Sequence, residues 1–330
     1  MATKMILAAS VRERVLRLFA RGGVLAYLVV LVLAFGIANS QFLSPGTLFA
    51  IISVSCPLMV VSAAMTMCLI CAEVDLSVVG VVGLSSTLTA LLISQNLPWP
   101  VAVGVAVVAG GVIGAINGIL TGHLVPVMPF FPSFFPTLAT TALALGVAEA
   151  MLPSKQAVAI SNPDFATVFG FAGTFNVPIL YALSVVAFVH LVLTRTSFGY
   201  RIQAVGANRR ASPLVGTNVK RTKFWVLTVS GLLAGFGGVL TAGFFQAGYS
   251  QLGKGYDLDA IGAAVIGGTA LFGGKGSVIA TVWGVLVLAV LNTGLQLIQV
   301  EPAIQLAAKG ALVVTAVAVD LYVRRRLAVS

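Results

Sequence analysis

The chain has 330 residues, of which 59% are hydrophobic and 8% charged, and its mean hydropathy is +1.07. Soluble domains run at roughly 45–50% apolar and about 25% charged, and so few ionised groups cannot cover a soluble surface. This excludes a soluble globular protein and points to an all-α, polytopic membrane protein. The net charge of +10 would suggest nucleic acid in a soluble chain, but here the basic residues are scattered along the termini and one loop. They do not form a folded basic face interleaved with aromatics.

In chain order, the segment 1–23 carries Lys4, Arg12, Arg14, Arg17 and Arg21 and reads as a basic cytoplasmic N-terminus. Its long basic lead, followed at once by several spans, argues against a cleaved signal peptide. A helix needs about 20 mostly apolar residues to cross the hydrocarbon. Six candidate spans follow within 24–194: 24–40, 47–71, 77–95, 99–122, 134–152 and 177–194. The stretch 195–223 then holds seven of the 19 basic residues and no acidic one. Four more candidates occupy 224–323, at 224–247, 258–272, 278–298 and 303–323. Arg324, Arg325 and Arg326 begin a basic tail, 324–330.

Ten crossings with both termini cytoplasmic put all three basic clusters on the inside, as the positive-inside rule requires. The shortest candidate, 258–272, closes on Gly267, Gly268, Gly273 and Gly274, and reads equally as a re-entrant or broken element. The polar stretches 152–176 and 248–257 then face outward, where an external ligand or partner would arrive. Asp75-Leu76 followed by Gly80 recurs as Asp257-Leu258 followed by Gly262. The first pair falls at the inner side and the second at the outer side. An inverted repeat of roughly 47–152 on 224–323 would give that pattern, as in many transporters.

Cys56, Cys68 and Cys71 lie in or beside one apolar stretch without a neighbouring His, and read as small buried hydrophobes rather than a metal or redox site. The glycines of the spans, among them Gly110, Gly114, Gly118, Gly231 and Gly235, suit close helix contacts. The stretch 268–275 fails as a phosphate-binding loop because Thr269 stands where the first glycine belongs and Gly276 follows Lys275. His123 and His190 have no carboxylate beside them in sequence. Glu149 and Glu301 read as solvated, Asp75 and Asp257 as helix N-terminal caps. No chain of buried acids or Asn/Thr sites, of the kind an ion-driven carrier needs, is visible, and catalytic constellations are lacking. The chain is therefore not an enzyme and binds no cofactor of its own.

Residues 198–223 read FGYRIQAVGANRRASPLVGTNVKRTK, followed by SGLLAGFGGVL at 230–240 and YDLDAIGAAVIGGTALFGGKGSVIATVWGVLVLAVLNTGL at 256–295. With VDLSV at 74–78, Asn117-Gly118, and Pro132-Ser133-Phe134 leading into Thr137, these resemble the permease subunits of bacterial sugar ABC importers. The likeness is to the ribose/xylose/arabinose-type branch, distantly related to the branched-chain amino acid permeases, and it covers nearly the whole chain. It implies a multi-pass protein of the bacterial cytoplasmic (inner) membrane, working with ABC ATPase subunits that bind ATP and Mg. The further partners implied are a periplasmic solute-binding protein, a second permease copy and the lipid bilayer, with no nucleic acid.

The resemblance also implies a short cytoplasmic helix at about 206–216 that docks in a cleft of the ATPase. Asn208 is its natural N-cap and Gly216 its stop. The coupling residues are then Gly206, Ala207, Asn208, Arg209, Arg210, Ala211, Leu214 and Gly216. A substrate path is expected along Asp75, Ser77, Asn117, Phe134, Thr137, Gln246, Asp257, Gly267 and Gly268. Three features depart from the family pattern. Ala72-Glu73 replaces paired glycines before VDLSV, Val79 follows it, and Pro126, Pro129, Pro132 and Pro136 crowd 126–136. They bear on which solute is carried, a monosaccharide, a polyol or a similar hydroxylated molecule. The alternative is a stand-alone ion-coupled carrier or channel, which would move solute without ATP.

Overall fold

The structure is a computed structural model that describes residues 23–124, 132–152, 156–170 and 177–328. The basic residues before Gly23 and the prolines at 126 and 129 lie outside the described residues. Twelve α-helices are formed among the described residues. They are α1 (Gly23–Ala38), α2 (Pro45–Ile70), α3 (Val78–Ser94), α4 (Trp99–Leu124), α5 (Phe134–Met151), α6 (Pro163–Phe169), α7 (Val177–Arg195), α8 (Ser197–Ala207), α9 (Val219–Phe245), α10 (Tyr256–Ile266), α11 (Val278–Leu297) and α12 (Pro302–Ala328). Two short strands, β1 (Val158–Ala159) and β2 (Ala247–Gly248), pair antiparallel.

Six helices, α2, α4, α5, α7, α9 and α11, are long and apolar enough to cross a membrane. The apolar helices α1, α3 and the first part of α12 are shorter. α10 has 11 residues, so at 1.5 Å per residue it reaches only about 16 Å, against a hydrocarbon core of about 30 Å. Of the two readings of 258–272, the broken element is therefore the one the backbone takes. α10 stops at Ile266 because Gly267 caps it and Gly268 follows in the left-handed region at φ 86°, a conformation open to glycine at little cost.

α9 is the centre of the bundle, packed along α4, α3 and α2. The α4–α9 seam is made by glycine. A Cβ on Gly110 would overlap the carbonyl oxygen of Gly231, one on Gly231 that of Gly110, and one on Gly114 that of Leu227. Gly118 meets Phe224 in the same way, so the two helices run antiparallel with their backbones in contact. Between helices in lipid, packing of this kind supplies what the hydrophobic effect cannot. α2 and α9 are mostly enclosed, whereas α5 and α7 are only 28% buried and present apolar side chains outward. Phe135, Leu138 and Leu143 of α5 and Leu183, Phe188 and Leu191 of α7 are exposed, which suits contact with lipid or another membrane chain.

The stretch 248–257, expected as an outer loop, is folded back into the bundle. After α9, Gln246 adopts φ 49°, β2 pairs with β1, and a 3₁₀ turn at Ser250–Gly253 runs alongside α3. Gly248 touches Ser86, and Gly253 touches Val79, so the chain descends about two turns of α3 before α10 begins. Non-helical backbone at this depth is tolerated only where protein or a water-filled cavity covers it. The hydroxyl of Ser86 donates to the carbonyls of Gly83 and Tyr249.

Candidate functional site

Two non-helical pieces and one helix end meet at one end of the bundle. The first is 71–77, between α2 and α3; the second is the end of α8; the third is 267–277, between α10 and α11. Gly274 N–H donates to the carbonyl of Ile70 at 2.9 Å, using an acceptor that the end of α2 leaves open. Gly206, near the end of α8, lies against that same carbonyl so closely that a Cβ would overlap it. A Cβ on Gly273 would stand 2.7 Å from the Cβ of Ala72 and 2.8 Å from Gly206 O. Displacement of α8 therefore pushes directly on the end of α2 and on the loop that follows α10.

The segment 206–216 is not one helix. Asn208 is extended (φ −157°, ψ 97°) and ends α8. Its Oδ1 accepts from the N–H groups of Arg210 and Ala211, 3.0 Å each, as an N-cap oxygen does, and opens a turn that becomes a 3₁₀ helix at Ser212–Val215. Gly216 closes that helix at φ 77°. An extended residue cannot continue α8, so the expected single helix becomes a helix, a capped turn and a short 3₁₀ stretch. Ala207, Arg210 and Ala211 are exposed and Arg209 is half-buried. Leu214 is 87% exposed and Val215 76%. Two aliphatic side chains on an otherwise basic polar loop thus stand largely uncovered among the described residues.

Beside this junction a polar network is shut inside the bundle, where the sequence suggested no buried chain of acids and amides. Its members come from four elements, which is why no local pattern announced them. Asp75 Oδ1 accepts from the N–H and hydroxyl of Ser77. The Ser77 hydroxyl in turn accepts from Asn117 Nδ2 at 2.9 Å, and Asn117 Oδ1 from the Thr140 hydroxyl at 2.8 Å. Asp75 thus serves the start of α3 as a cap would, while its other oxygen, Oδ2, is buried without a hydrogen-bond partner among the described residues. Glu73 forms an ion pair with Lys223 of α9, and both side chains are sealed from solvent. Its second oxygen accepts from Ser133 N–H at 3.0 Å, and the Ser133 hydroxyl bonds both backbone groups of Val74. Ser133 also anchors the first turn of α5, through Thr137.

Of the expected path residues, Asp75, Ser77 and Asn117 meet directly, and Thr137 joins them through Ser133. Phe134 stands 41% exposed on the outside of α5. Gly267 and Gly268 lie beyond the end of α10 and Asp257 at its start, in the first turn. Gln246 is at the far end of α9, where its amide donates to Gly243 O. Lys223 and Gln246 are separated by about 35 Å of helix.

Glu149 is not free in solvent. It accepts a hydrogen bond from Ser250 and, with Tyr249 and Gln251, lines a cavity of about 450 Å³ between α5 and the re-entrant segment. A carboxylate, a phenol, a hydroxyl and an amide on one wall can bond a hydroxyl-rich molecule. The pairing of Glu149 with a residue 101 positions away has no signal in the linear chain. All three cysteines are buried, and no group of three His, Cys, Asp or Glu could hold a metal ion among the described residues.

The family model for the branched-chain amino acid transport system / permease component matches residues 47–317. The chain belongs to this permease family. Among curated proteins it is 30% identical over 304 residues to the ribose import permease protein RbsC of Haemophilus influenzae, covering 89% of this chain and 91% of that one. It is 32% identical over 317 residues to the galactose/methyl galactoside import permease protein MglC of Escherichia coli, covering 91% and 93%. The probable ABC transporter permease protein YphD of Escherichia coli is 32% identical over 322 residues, covering 97% and 95%. No solved structure matches the chain significantly. Membership in the permease family agrees with a multi-pass helical bundle whose most polar interior contacts gather around broken helices, the places where transporter folds handle solute.

Proposed function

We propose that this chain is the membrane subunit of an ATP-driven, binding-protein-dependent importer of a monosaccharide, a polyol or a similar small hydroxylated solute in the bacterial inner membrane. Separate ATPase subunits bind ATP and Mg, a periplasmic binding protein delivers the solute, and a second permease copy completes the pore. The observation that carries this reading is the contact of Gly206 with Ile70 and the 267–277 loop. It supports a role for 206–216 as the coupling element, because an ATPase that grips the exposed Leu214 and Val215 would move α8 against two broken transmembrane elements at once.

Ten crossings with cytoplasmic termini accord with the same junction. In that topology the ends of α2, α7 and α10 all face the cytoplasm, and these are the segments found together. The re-entrant 246–255 stretch and α10 then share one crossing. The solute would enter near Glu149, Tyr249 and Gln251, and pass the broken elements as they shift, by alternating access. Purification of the tagged chain from native membranes in mild detergent tests the assembly. The expected result is a co-purifying ATPase with nucleotide-binding motifs; a chain that purifies alone and still carries sugar into ATP-free vesicles contradicts it.

A further inference from the structure

Between the base of α8 and the first turns of α9 lies a cavity of about 530 Å³, bordered by Gly216 at the close of the 206–216 segment. It is lined by polar Arg201, Asn218, Arg221 and Thr222, by apolar Phe198, Trp225 and Val229, and by Gly216. The charged groups on the lining are the guanidinium donors of Arg201 and Arg221. Asn218 Oδ1 accepts from the backbone N–H of Arg221, and the Thr222 hydroxyl donates to Asn218 O, so both are engaged in the start of α9. No carboxylate lines the site, and both arginines are exposed. Such a lining offers two positive charges whose guanidinium forks suit a phosphate ester.

The polar-to-apolar gradient runs along α9. Arg221, Trp225 and Val229 are spaced four residues apart on one face and descend about 12 Å from the start of the span toward its interior. Trp225 is 46% exposed and Tyr200 on the neighbouring α8 62%, the aromatic pairing seen where a membrane protein crosses the headgroup layer. A free phosphate would use the arginines but not the apolar part of the lining. A phospholipid would use both.

We propose that this cavity binds an anionic phospholipid of the leaflet facing the 195–223 loop, its phosphate held between Arg201 and Arg221 and an acyl chain laid on Trp225 and Val229. The lipid would brace α8 against α9 one turn from the Lys223–Glu73 pair. The proposal rests on the membrane embedding of α9.

The test uses the full chain carrying Trp99→Phe and Trp283→Phe, which leaves Trp225 as the one tryptophan of the three, reconstituted in phosphatidylcholine vesicles. Brominated phosphatidylglycerol should quench Trp225 at about tenfold lower mole fraction than brominated phosphatidylcholine, a preference of about 1.4 kcal/mol. Arg201→Gln with Arg221→Gln should abolish the preference, and Arg201→Lys with Arg221→Lys should restore part of it. Quenching by phosphatidylcholine, equal in all variants, reports that α9 remains inserted and separates failure of this site from failure of the membrane reading. Equal quenching by the two lipids, or a preference that survives loss of both arginines, would overturn the proposal. So would displacement of phosphatidylglycerol by millimolar inorganic phosphate, which would assign the site to a soluble ligand. Loss of quenching when the co-purified ATPase is bound would likewise assign the surface to that protein.

Discussion

Glu73 and Lys223 are held in a pair that neither could occupy alone. Removing one partner from a buried ion pair strands the other in low dielectric and costs about 3–5 kcal/mol, whereas replacing both can be close to neutral. Lys223→Met should therefore sharply lower the thermal midpoint of the detergent-purified protein, and Lys223→Met with Glu73→Gln should recover most of the loss. An equal loss in the double variant would show that the two residues act separately. The same residue scale explains the departure at Ala72, which takes a left-handed conformation at φ 57° where the family pattern has glycine. An L-residue there costs roughly 1–2 kcal/mol, and Ala72→Gly should raise the midpoint slightly or leave it unchanged. Ala72→Val should lower it, because a β-branched side chain is worse in that region and Gly273 lies against it.

At the scale of helices, α4 and α9 depend on the absence of side chains along their seam. Gly231→Leu would drive the helices apart and should cost several kcal/mol, seen as loss of folded protein from the membrane fraction. Gly104→Ala, on the same α4 but with nothing within 4 Å of the added Cβ, should fold normally and serves as the control. Normal yield from Gly231→Leu would mean that the seam is not a close contact. The long helices were legible from hydropathy because each long span needs its own apolar run, and nine of the expected spans coincide with helices to within a few residues. The break in 258–272 was legible too, from its short length and its closing glycines, Gly267 and Gly268, where the backbone does leave the helix. The preceding stretch, polar enough to read as a surface loop, gains its place from contacts with α3 more than 160 positions away. Asn208 misled for a related reason: it is a good N-cap residue, and it does cap, but the structure it caps is a turn and a 3₁₀ helix.

In the molecule as a whole, the broken helices and the junction around α8 follow one logic. Among the described residues, the polar pieces between α2 and α3 and between α10 and α11 are packed against each other and against the end of α8. The resemblance points to the 195–223 loop for coupling; the contact that joins its α8 to the end of α2 and to the loop after α10 required the fold, because Ile70, Gly206 and Gly274 share no local pattern. The same holds for Glu73, Asp75 and Asn117, visible as residues but not as a network. If α8 transmits ATPase closure, a wedge at Gly206 should uncouple the machine. Gly206→Val is expected to leave ATPase binding intact and to lower solute uptake per ATP hydrolysed by at least about tenfold, a barrier change of about 1.4 kcal/mol.

The central claim is that ATP hydrolysed by a partner drives solute through this chain by way of the exposed Leu214–Val215 tip. The most direct measurement is uptake of radiolabelled sugar by proteoliposomes holding the chain, its ATPase and its binding protein, with the wild type set beside Leu214→Asp with Val215→Asp. Wild-type uptake should require ATP, and the variant should remain folded and inserted while losing both ATPase association and transport. Uptake that proceeds without ATP, or that is undiminished in the variant, would contradict the account.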